Sequence, residues 1–308
     1  MALLKYFWMG FWQVVFWIKK ARHRSSENPP PAPAHGQSER EINDVELIKL
    51  MEQARRGDAR AQVDLGVCYV NGDGVAANYE EAANWFRKAA DQGHALGQVN
   101  LGICYANGQG VPQDYPEAVR WFQLSAAQGD YRAEVSLGVC YQNAQGVARD
   151  DAEAVKWFQR AAAQGHPLGQ VSLALCYQTG RGVPANDVEA VGLFRQAADA
   201  GLAPAQYELG KCYETGTGAE KDAAEAAQWY LKAAIRGIVP AQHKIGLIYW
   251  EGFGLEQDLV EACKWLSLAA EHGDVEAEHA LEALRLQMTE GQEAEAKTRK
   301  EYYLKNRK

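Results

Sequence analysis

Apolar and polar positions follow one pattern along residues 58–273, which repeats every 36 residues without an insertion. In the first half of each unit, apolar residues recur at i, i+4, i+7 and i+8, as in Ala61, Leu65, Cys68 and Tyr69. This spacing places them on one face of a helix and predicts a first helix, helix A, in every unit. Six glycines end the units: Gly93, Gly129, Gly165, Gly201, Gly237 and Gly273.

A second helix, helix B, is predicted after a loop in each unit. The loop of the first unit contains Gly72 and Gly74, and glycine supplies the positive φ that a turn between two helices requires. Helix B then begins at a capping box, in which Asn78 precedes Glu81 by three residues. All six units carry an Asn or Asp and a Glu at these positions. We therefore interpret the pairs as helix caps and not as catalytic carboxylates.

Helix B also carries an aromatic anchor and a pair of alanines, as in Trp85 and Ala89-Ala90, with Leu193 in place of the Trp in the fourth unit. No unit can bury this apolar stripe alone, so the units are predicted to stack. Gly66 and its counterparts lie inside helix A, where glycine costs about 1 kcal/mol relative to alanine. We expect helix B to approach closely at that point.

The recurring Leu-Gly-x2-Tyr, Gly-x-Gly-Val, Asp-x-x-Glu-Ala, Trp, Ala-Ala and Gly motifs resemble the Sel1-like repeat, a relative of the tetratricopeptide repeat. The resemblance covers residues 58–273 closely and extends loosely over 47–288. It implies an all-α fold, a right-handed α/α superhelical solenoid of six repeats. It also implies a non-catalytic scaffold or adaptor in multiprotein assemblies.

A partner-binding surface follows from the same resemblance, because the exposed side of helix A lines a concave groove in tetratricopeptide units. Helical geometry selects the same positions, which lie opposite the face of Leu65 and Cys68. We expect a protein or peptide to bind there; the alternative is that the stripe packs against an adjacent repeat. The predicted groove residues are Val63, Val67, Val70, Asn71, Val99, Ile103, Asn107, Val135, Val139, Asn143, Val171, Leu175, Tyr207, Lys211, His243, Leu247 and Trp250.

Two parts of this groove differ in character. Asn71, Asn107 and Asn143 flank the stripe in three successive units, where they could clamp a peptide backbone or cap their own helices. After the fourth repeat the groove positions become polar or aromatic, and we expect the two halves to orient a ligand. The changed positions are Tyr207, Lys211, His243, Leu247 and Trp250.

The six cysteines do not form a disulfide pattern. Five of them recur once per unit at intervals of 36 residues, and Cys263 stands apart. Neighbouring helices pack about 8–10 Å apart, whereas a disulfide needs Cα atoms within about 7 Å. We expect buried free thiols and no disulfides, which favours a reducing compartment. Some secreted members of the family carry paired cysteines that bridge the helices of a unit, and this sequence departs from them.

The charge distribution argues against nucleic acid as a partner. The chain has a net charge of −8, but residues 1–40 contain six Lys or Arg and two Glu. The remainder therefore holds 26 basic and 38 acidic residues, a net charge of −12. An acidic body lacks the basic face that phosphate neutralisation requires.

No motif of a catalytic site appears in the sequence, and we predict a protein that is not an enzyme and binds no cofactor or metal. Gly-x-Ser-x-Gly, Ser-x-x-Lys and His-Glu-x-x-His are all absent. His94 and His166 are interpreted as surface histidines of the turns between repeats. The alternative function is an envelope-associated enzyme or a protein that binds a small ligand such as a cell-wall fragment. Its candidate residues lie around Tyr207, His243 and Trp250.

The N-terminal segment predicts membrane association. Residues 2–18, ALLKYFWMGFWQVVFWI, reach about 26 Å as a helix, slightly less than the hydrocarbon core of about 30 Å. A short transmembrane anchor and an interfacial helix both remain open. Lys19, Lys20, Arg22 and Arg24 follow, and by the positive-inside rule they keep the repeats in the cytoplasm. We expect the inner membrane of a bacterium, with an untethered cytoplasmic or a periplasmic protein as the alternative.

The expected domain organisation has five parts. An apolar helix with a basic flank occupies 1–24, and a Pro-rich linker occupies 25–43. A capping helix at 44–57 precedes the six repeats at 58–273. Capping helices and a charged tail occupy 274–308.

Overall fold

The computed structural model describes residues 44–306, which form fifteen helices and no strands. The predicted all-α solenoid of six two-helix repeats is confirmed. The helices are α1 (Asp44–Arg55), α2 (Ala59–Asn71), α3 (Tyr79–Asp91), α4 (Ala95–Asn107), α5 (Tyr115–Ala126), α6 (Tyr131–Asn143), α7 (Asp151–Ala163), α8 (Pro167–Thr179), α9 (Asp187–Asp199), α10 (Ala203–Thr215), α11 (Ala223–Ile235), α12 (Val239–Glu251), α13 (Leu259–Glu271), α14 (Val275–Arg285) and α15 (Glu290–Asn306).

The described residues belong to two compact units, 44–221 and 222–306. The first unit contains α1 to α10, which are the N-terminal helix, four whole repeats and helix A of the fifth. The second unit contains helix B of the fifth repeat, the sixth repeat and the two C-terminal helices. The predicted membrane segment, residues 2–18, lies outside the described part of the chain. Within residues 44–306, no helix combines the length and the apolar character needed to cross a membrane.

Each helix B starts at the predicted cap, but only half of the capping box forms as expected. The side chain of Asn78 accepts hydrogen bonds from the backbone N–H groups of Glu80 and Glu81, at 3.0 and 3.1 Å. The backbone N–H of Asn78 donates to the carbonyl of Tyr69 at 2.8 Å. This donor group is therefore bonded to helix A, so the cap also fixes the angle between the two helices.

The interior glycines of helix A mark the predicted close approach of helix B. A Cβ atom on Gly66 would lie 2.5 Å from Cε1 of Phe86, and one on Gly138 would lie 2.3 Å from Cε1 of Phe158. The ring of helix B therefore occupies the space that a side chain on helix A would need. This contact explains how the repeat offsets the low helix propensity of glycine.

The repeats also meet through their loops. A Cβ atom on Gly110 would lie 1.9 Å from the carbonyl oxygen of Tyr79, at the start of the preceding helix B. Gly254 makes the same approach to Ala223 in the second unit, at 2.4 Å. All six cysteines are buried and free. Burial raises the pKa of the Cys140 thiol to about 12, so this thiol is protonated and unreactive at neutral pH.

Candidate protein-interaction surface

The first helices of consecutive repeats lie side by side and form what we call the helix-A surface, the side of these helices opposite Leu65 and its counterparts. Direct contacts join α2 to α4 and α6 to α8 in the first unit, and α12 to α14 in the second. Because the two units are separate compact bodies, we describe the surface of each unit by itself.

An apolar row runs along the helix-A surface of the first unit. It consists of one residue at the same position of each of four first helices. Val67 is 36% exposed and the other three are half-buried. Each side chain therefore presents apolar surface that a partner can contact. The row contains Val67, Ile103, Val139 and Leu175.

Three residues predicted to line the groove belong instead to the core. Val63 and Val99 are 0% exposed and Val135 is 3% exposed. Val63 packs in a cluster with Leu101 and Cys104 of the next repeat. The helix A of the following repeat covers this position, so the expectation that it is open to a partner is wrong. For these three residues the alternative, packing against an adjacent repeat, describes the structure.

The position that Val63, Val99 and Val135 occupy is more exposed in the last repeats of the first unit. Val171 and Tyr207 are half-buried, as are the groove residue Lys211 beside Tyr207 and, in the first repeat, Val70. The ammonium group of Lys211 lies 5.6 Å from the centre of the Tyr207 ring and forms an ion pair with Glu208 at 2.6 Å. An aromatic and charged cluster thus replaces the aliphatic residues of the earlier repeats.

The three asparagines at the edge of this surface use their side-chain N–H groups within the protein. Asn71 donates to Asp73 at 2.9 Å, Asn107 donates to Gln109 at 3.3 Å, and Asn143 donates to the carbonyl of Val139 at 2.6 Å. Asn143 therefore caps its own helix. The side-chain oxygen of Asn107 is buried and accepts no hydrogen bond.

A row of buried glutamine amides on the first helices was not predicted from the sequence. Glutamines of helix A donate to carbonyls at the end of the preceding helix, which is α1 for the first repeat and helix B of the preceding repeat for the others, at 3.1–3.4 Å. Their recurrence at one fixed position of the repeat was the signal that could have revealed them. The bonds join Gln62 to Ala54, Gln98 to Ala90, Gln206 to Ala198 and Gln242 to Ala234.

The third repeat has Glu134 where the others have glutamine. This carboxylate is 1% exposed; it contacts Nε of Arg160 at 3.1 Å and accepts from Gln164 at 2.8 Å. Burial raises the pKa of Glu134 although Arg160 acts in the opposite direction. The site is a structural contact between helices, since the ion pair occupies the carboxylate.

The two histidines of the turns are helix caps, which corrects their interpretation as surface loop residues. Nδ1 of His94 accepts from the N–H of Gly97 at 3.4 Å, and Nδ1 of His166 accepts from Leu168 at 3.3 Å. His166 also stacks on Tyr131 with ring centres 3.5 Å apart. Burial, and then Arg132, lower the pKa of His166 to about 4. Among residues 44–306, no group of three or more His, Cys, Asp or Glu residues could hold a metal ion.

The helix-A surface of the second unit is aromatic and polar. Nδ1 of His243 lies 3.3 Å from a carboxylate oxygen of Asp274, and Nε1 of Trp250 donates to Gln287 at 3.2 Å. Leu247 packs half-buried in the same cluster as Trp250. Two cavities of about 280 and 320 Å³ in this unit lie between α13, α14 and α15. Neither His243 nor Trp250 lines them, so these residues do not form a small-molecule pocket there.

Comparison with known proteins identifies the repeat. The family model of the Sel1 repeat matches six consecutive segments at residues 59–94, 95–130, 132–166, 167–202, 203–238 and 239–274. The chain belongs to the Sel1 repeat family. No curated protein matches this Sel1 repeat protein.

Two solved structures support the family and the fold. The chain is 36% identical to c5321, a protective antigen of uropathogenic Escherichia coli strains that displays an SLR fold, with a TM-score of 0.71. That match covers 81% of this chain and 54% of the antigen, so the chain spans about half the antigen's length. A Sel1 repeat protein from Oxalobacter formigenes is 35% identical, with a TM-score of 0.70, over 74% of this chain and 93% of that one.

Proposed function

We propose that this Sel1 repeat protein is a non-catalytic scaffold that binds a protein or peptide on its helix-A surface. Proteins of this family generally mediate protein–protein interaction. The observation that carries the proposal is the apolar row at Val67, Ile103, Val139 and Leu175. Its members are partly exposed at positions where the repeat does not require burial.

The spacing of the row favours an extended ligand. Neighbouring helices pack about 8–10 Å apart. A polyproline II chain advances about 3.1 Å per residue with three residues per turn, so three residues span one repeat and every third side chain lies on the same face. We expect the ligand to place an apolar side chain at every third residue against the row. Ile103 and Val139 are interior members of the row and would contact the middle of such a ligand.

Site-specific photocrosslinking in cells tests this assignment. A photoreactive amino acid at position 103 or 139 of the full chain should give one defined adduct with a partner. The same amino acid at Lys156, which is exposed on helix B of the third repeat, is the matched control. With the photoreactive amino acid at position 103, the substitution Val139→Asp should abolish the adduct. With it at position 139, Ile103→Asp should do the same, and neither change should reduce helicity. An equal yield of adduct from position 156 would contradict the assignment of the binding site to the helix-A surface.

We also propose that residues 2–18 tether the scaffold to a membrane, with the repeats on the cytoplasmic side. The support is their apolar sequence and the basic residues from Lys19 to Arg24. The full chain should sediment with membranes, and deletion of residues 2–24 should release it. Alkaline carbonate extraction then separates a spanning segment, which stays in the pellet, from an interfacial one. A full chain that remains in the supernatant would contradict the tether.

A further inference from the structure

We propose that the helix-A surface of the second unit docks an apolar segment of another protein that is flanked by Lys or Arg. The docking site, called the end patch, consists of Leu247 and Trp250 on α12 and Ala283 and Leu286 at the end of α14. The inference rests on the proposed function and deepens it, because it names the chemistry of the partner at this site.

The end patch is apolar and accessible. Leu286 is 90% exposed, Ala283 is exposed, and Leu247 and Trp250 are half-buried. Trp250 and Leu286 occupy the position at which the first three repeats have Val70, Ala106 and Gln142, all buried or half-buried. Leu286 is thus more exposed than its counterparts, and Trp250 is the larger side chain although it remains half-buried.

The patch is open because α15, the next helix in the described residues, does not take the place of a helix A beside α14. In the first unit, the helix A of the next repeat covers part of this surface, as it covers Val63. The chain instead turns back, and α15 packs on α13. Arg299 forms an ion pair with Glu261 at 3.0 Å, and the Tyr303 hydroxyl donates to the carbonyl of Ile235 at 2.8 Å.

Trp250 is held in place before any partner arrives. Its indole N–H donates to Gln287 at 3.2 Å, which joins the end of α12 to the residues after α14. A fixed tryptophan loses little conformational freedom on binding, and tryptophan is enriched among the residues that dominate interface energies. Leu286, the residue directly before Gln287, adds an exposed aliphatic side chain to the patch.

Carboxylates give the patch its charge. Glu251 and Glu276 are exposed on the same two helices, and neither takes part in an ion pair among residues 44–306. The residues 222–306 contain nine Lys or Arg and fifteen Asp or Glu. Of the cations on these helices, Lys244 has an interaction partner and Arg285 lines the cavity beside Cys263.

This charge decides among the possible occupants. Unpaired carboxylates around an apolar patch attract a segment with Lys or Arg, and they repel nucleic acid and an anionic membrane surface. His243 does not neutralise them, since its ring is already paired with Asp274. A basic and apolar protein segment is therefore the occupant that both features of the patch fit.

Two synthetic peptides with one leucine pattern test the inference, one with Lys and one with Glu at every polar position. Their binding to the full chain in zwitterionic nanodiscs is measured by fluorescence anisotropy, with empty nanodiscs as the blank. We expect the Lys peptide to bind roughly tenfold or more tightly than the Glu peptide at low salt. Trp250→Ala with Leu286→Ser should weaken the Lys peptide by roughly tenfold or more. Glu251→Gln with Glu276→Gln should reduce the salt dependence.

The matched control is Leu124→Ser, which removes another exposed aliphatic residue, on α5 of the first unit, and should leave binding unchanged. Equal binding of the two peptides, or equal binding to the Trp250→Ala/Leu286→Ser variant with unchanged helicity, would overturn the inference. That outcome would leave the proposed function intact if positions 103 and 139 still give their adduct. If the peptides bind equally and positions 103 and 139 also give no adduct, the proposed function is contradicted as well.

Discussion

The helix-A surfaces of the two units are built from the same repeat and differ in what covers them. In the first unit Val99 lies under the next repeat and is fully buried, whereas Ile103, four residues later, is partly exposed. In the second unit the cover ends, and Trp250 and Leu286 project beside free carboxylates. The difference shows that packing between repeats, rather than position on the helix alone, decides which residues are available to a partner.

The sharpest test of this comparison introduces the same charge at a covered and an uncovered position. Val99→Asp should lower the free energy of unfolding by about 3–5 kcal/mol, because it places an unpaired charge in the core. Leu286→Asp should change it by less than about 0.5 kcal/mol, as substitutions at exposed sites do. Chemical denaturation followed by circular dichroism measures both. Similar losses in the two variants would show that Leu286 is packed in solution.

The next test asks whether the contact of a loop glycine with the preceding helix B is equally important for stability in each unit. Gly110→Ala in the first unit and Gly254→Ala in the second each place a Cβ against a backbone carbonyl, at a φ of 72° and 90°. We expect each to cost about 2–4 kcal/mol from backbone strain and the clash. Gly129→Ala is the control, since its φ is 81° and no atom lies within 4 Å of the added Cβ. It should cost only the strain, about 1 kcal/mol.

A smaller effect comes from the one strained turn of the first unit. Ala144 has a φ of 55° and is the only residue other than glycine with positive φ in residues 44–306. The other repeats have a glycine at this position, as Gly252 shows in the second unit. Ala144→Gly should raise the free energy of unfolding by about 1 kcal/mol. An unchanged unfolding midpoint would mean that the turn relaxes around the alanine.

Much of this fold was predictable because each packing position recurs in six repeats. The spacing of Leu65 and Tyr69, the caps such as Asn78 and the interior glycines such as Gly66 were all interpreted correctly from their recurrence. Burial on the opposite face was not predictable in the same way. Val63 and Val67 are both valines of one face, and only the stacking of the next helix separates the buried one from the exposed one.

The histidine caps show the same limit. Sequence alone placed His166 in a turn, but its role depends on its surroundings in the fold. Tyr131 of the preceding repeat stacks on the ring, and burial, followed by Arg132, lowers its pKa. The second unit has Asp274 at the corresponding cap, and the aspartate accepts from Ala277 at 2.9 Å. This position of the repeat thus carries a histidine cap at His94 and His166 in the first unit, and an aspartate cap at Asp58 and Asp130 in the first unit and at Asp274 in the second.

This difference predicts a pH dependence that belongs to the first unit. The pKa of His166 is about 4 in the folded protein and near 6.5 in the unfolded chain, so the unfolded state binds more protons between these values. The stability that the neutral cap contributes is complete above pH 6.5 and is lost as the pH falls toward 4. Since the ring is partly exposed, we expect at most about 1 kcal/mol at pH 5.

His166→Asn tests the prediction, because asparagine keeps a capping oxygen and does not titrate. Urea unfolding of both proteins at pH 7 and pH 5 isolates this group from the carboxylates, which titrate equally in the two. The loss between pH 7 and pH 5 should be smaller in the variant. An equal loss would assign the pH dependence to other groups, and Glu134 is not among them. Its raised pKa acts in the opposite sense, since protonating that buried carboxylate as the pH falls stabilises the folded state.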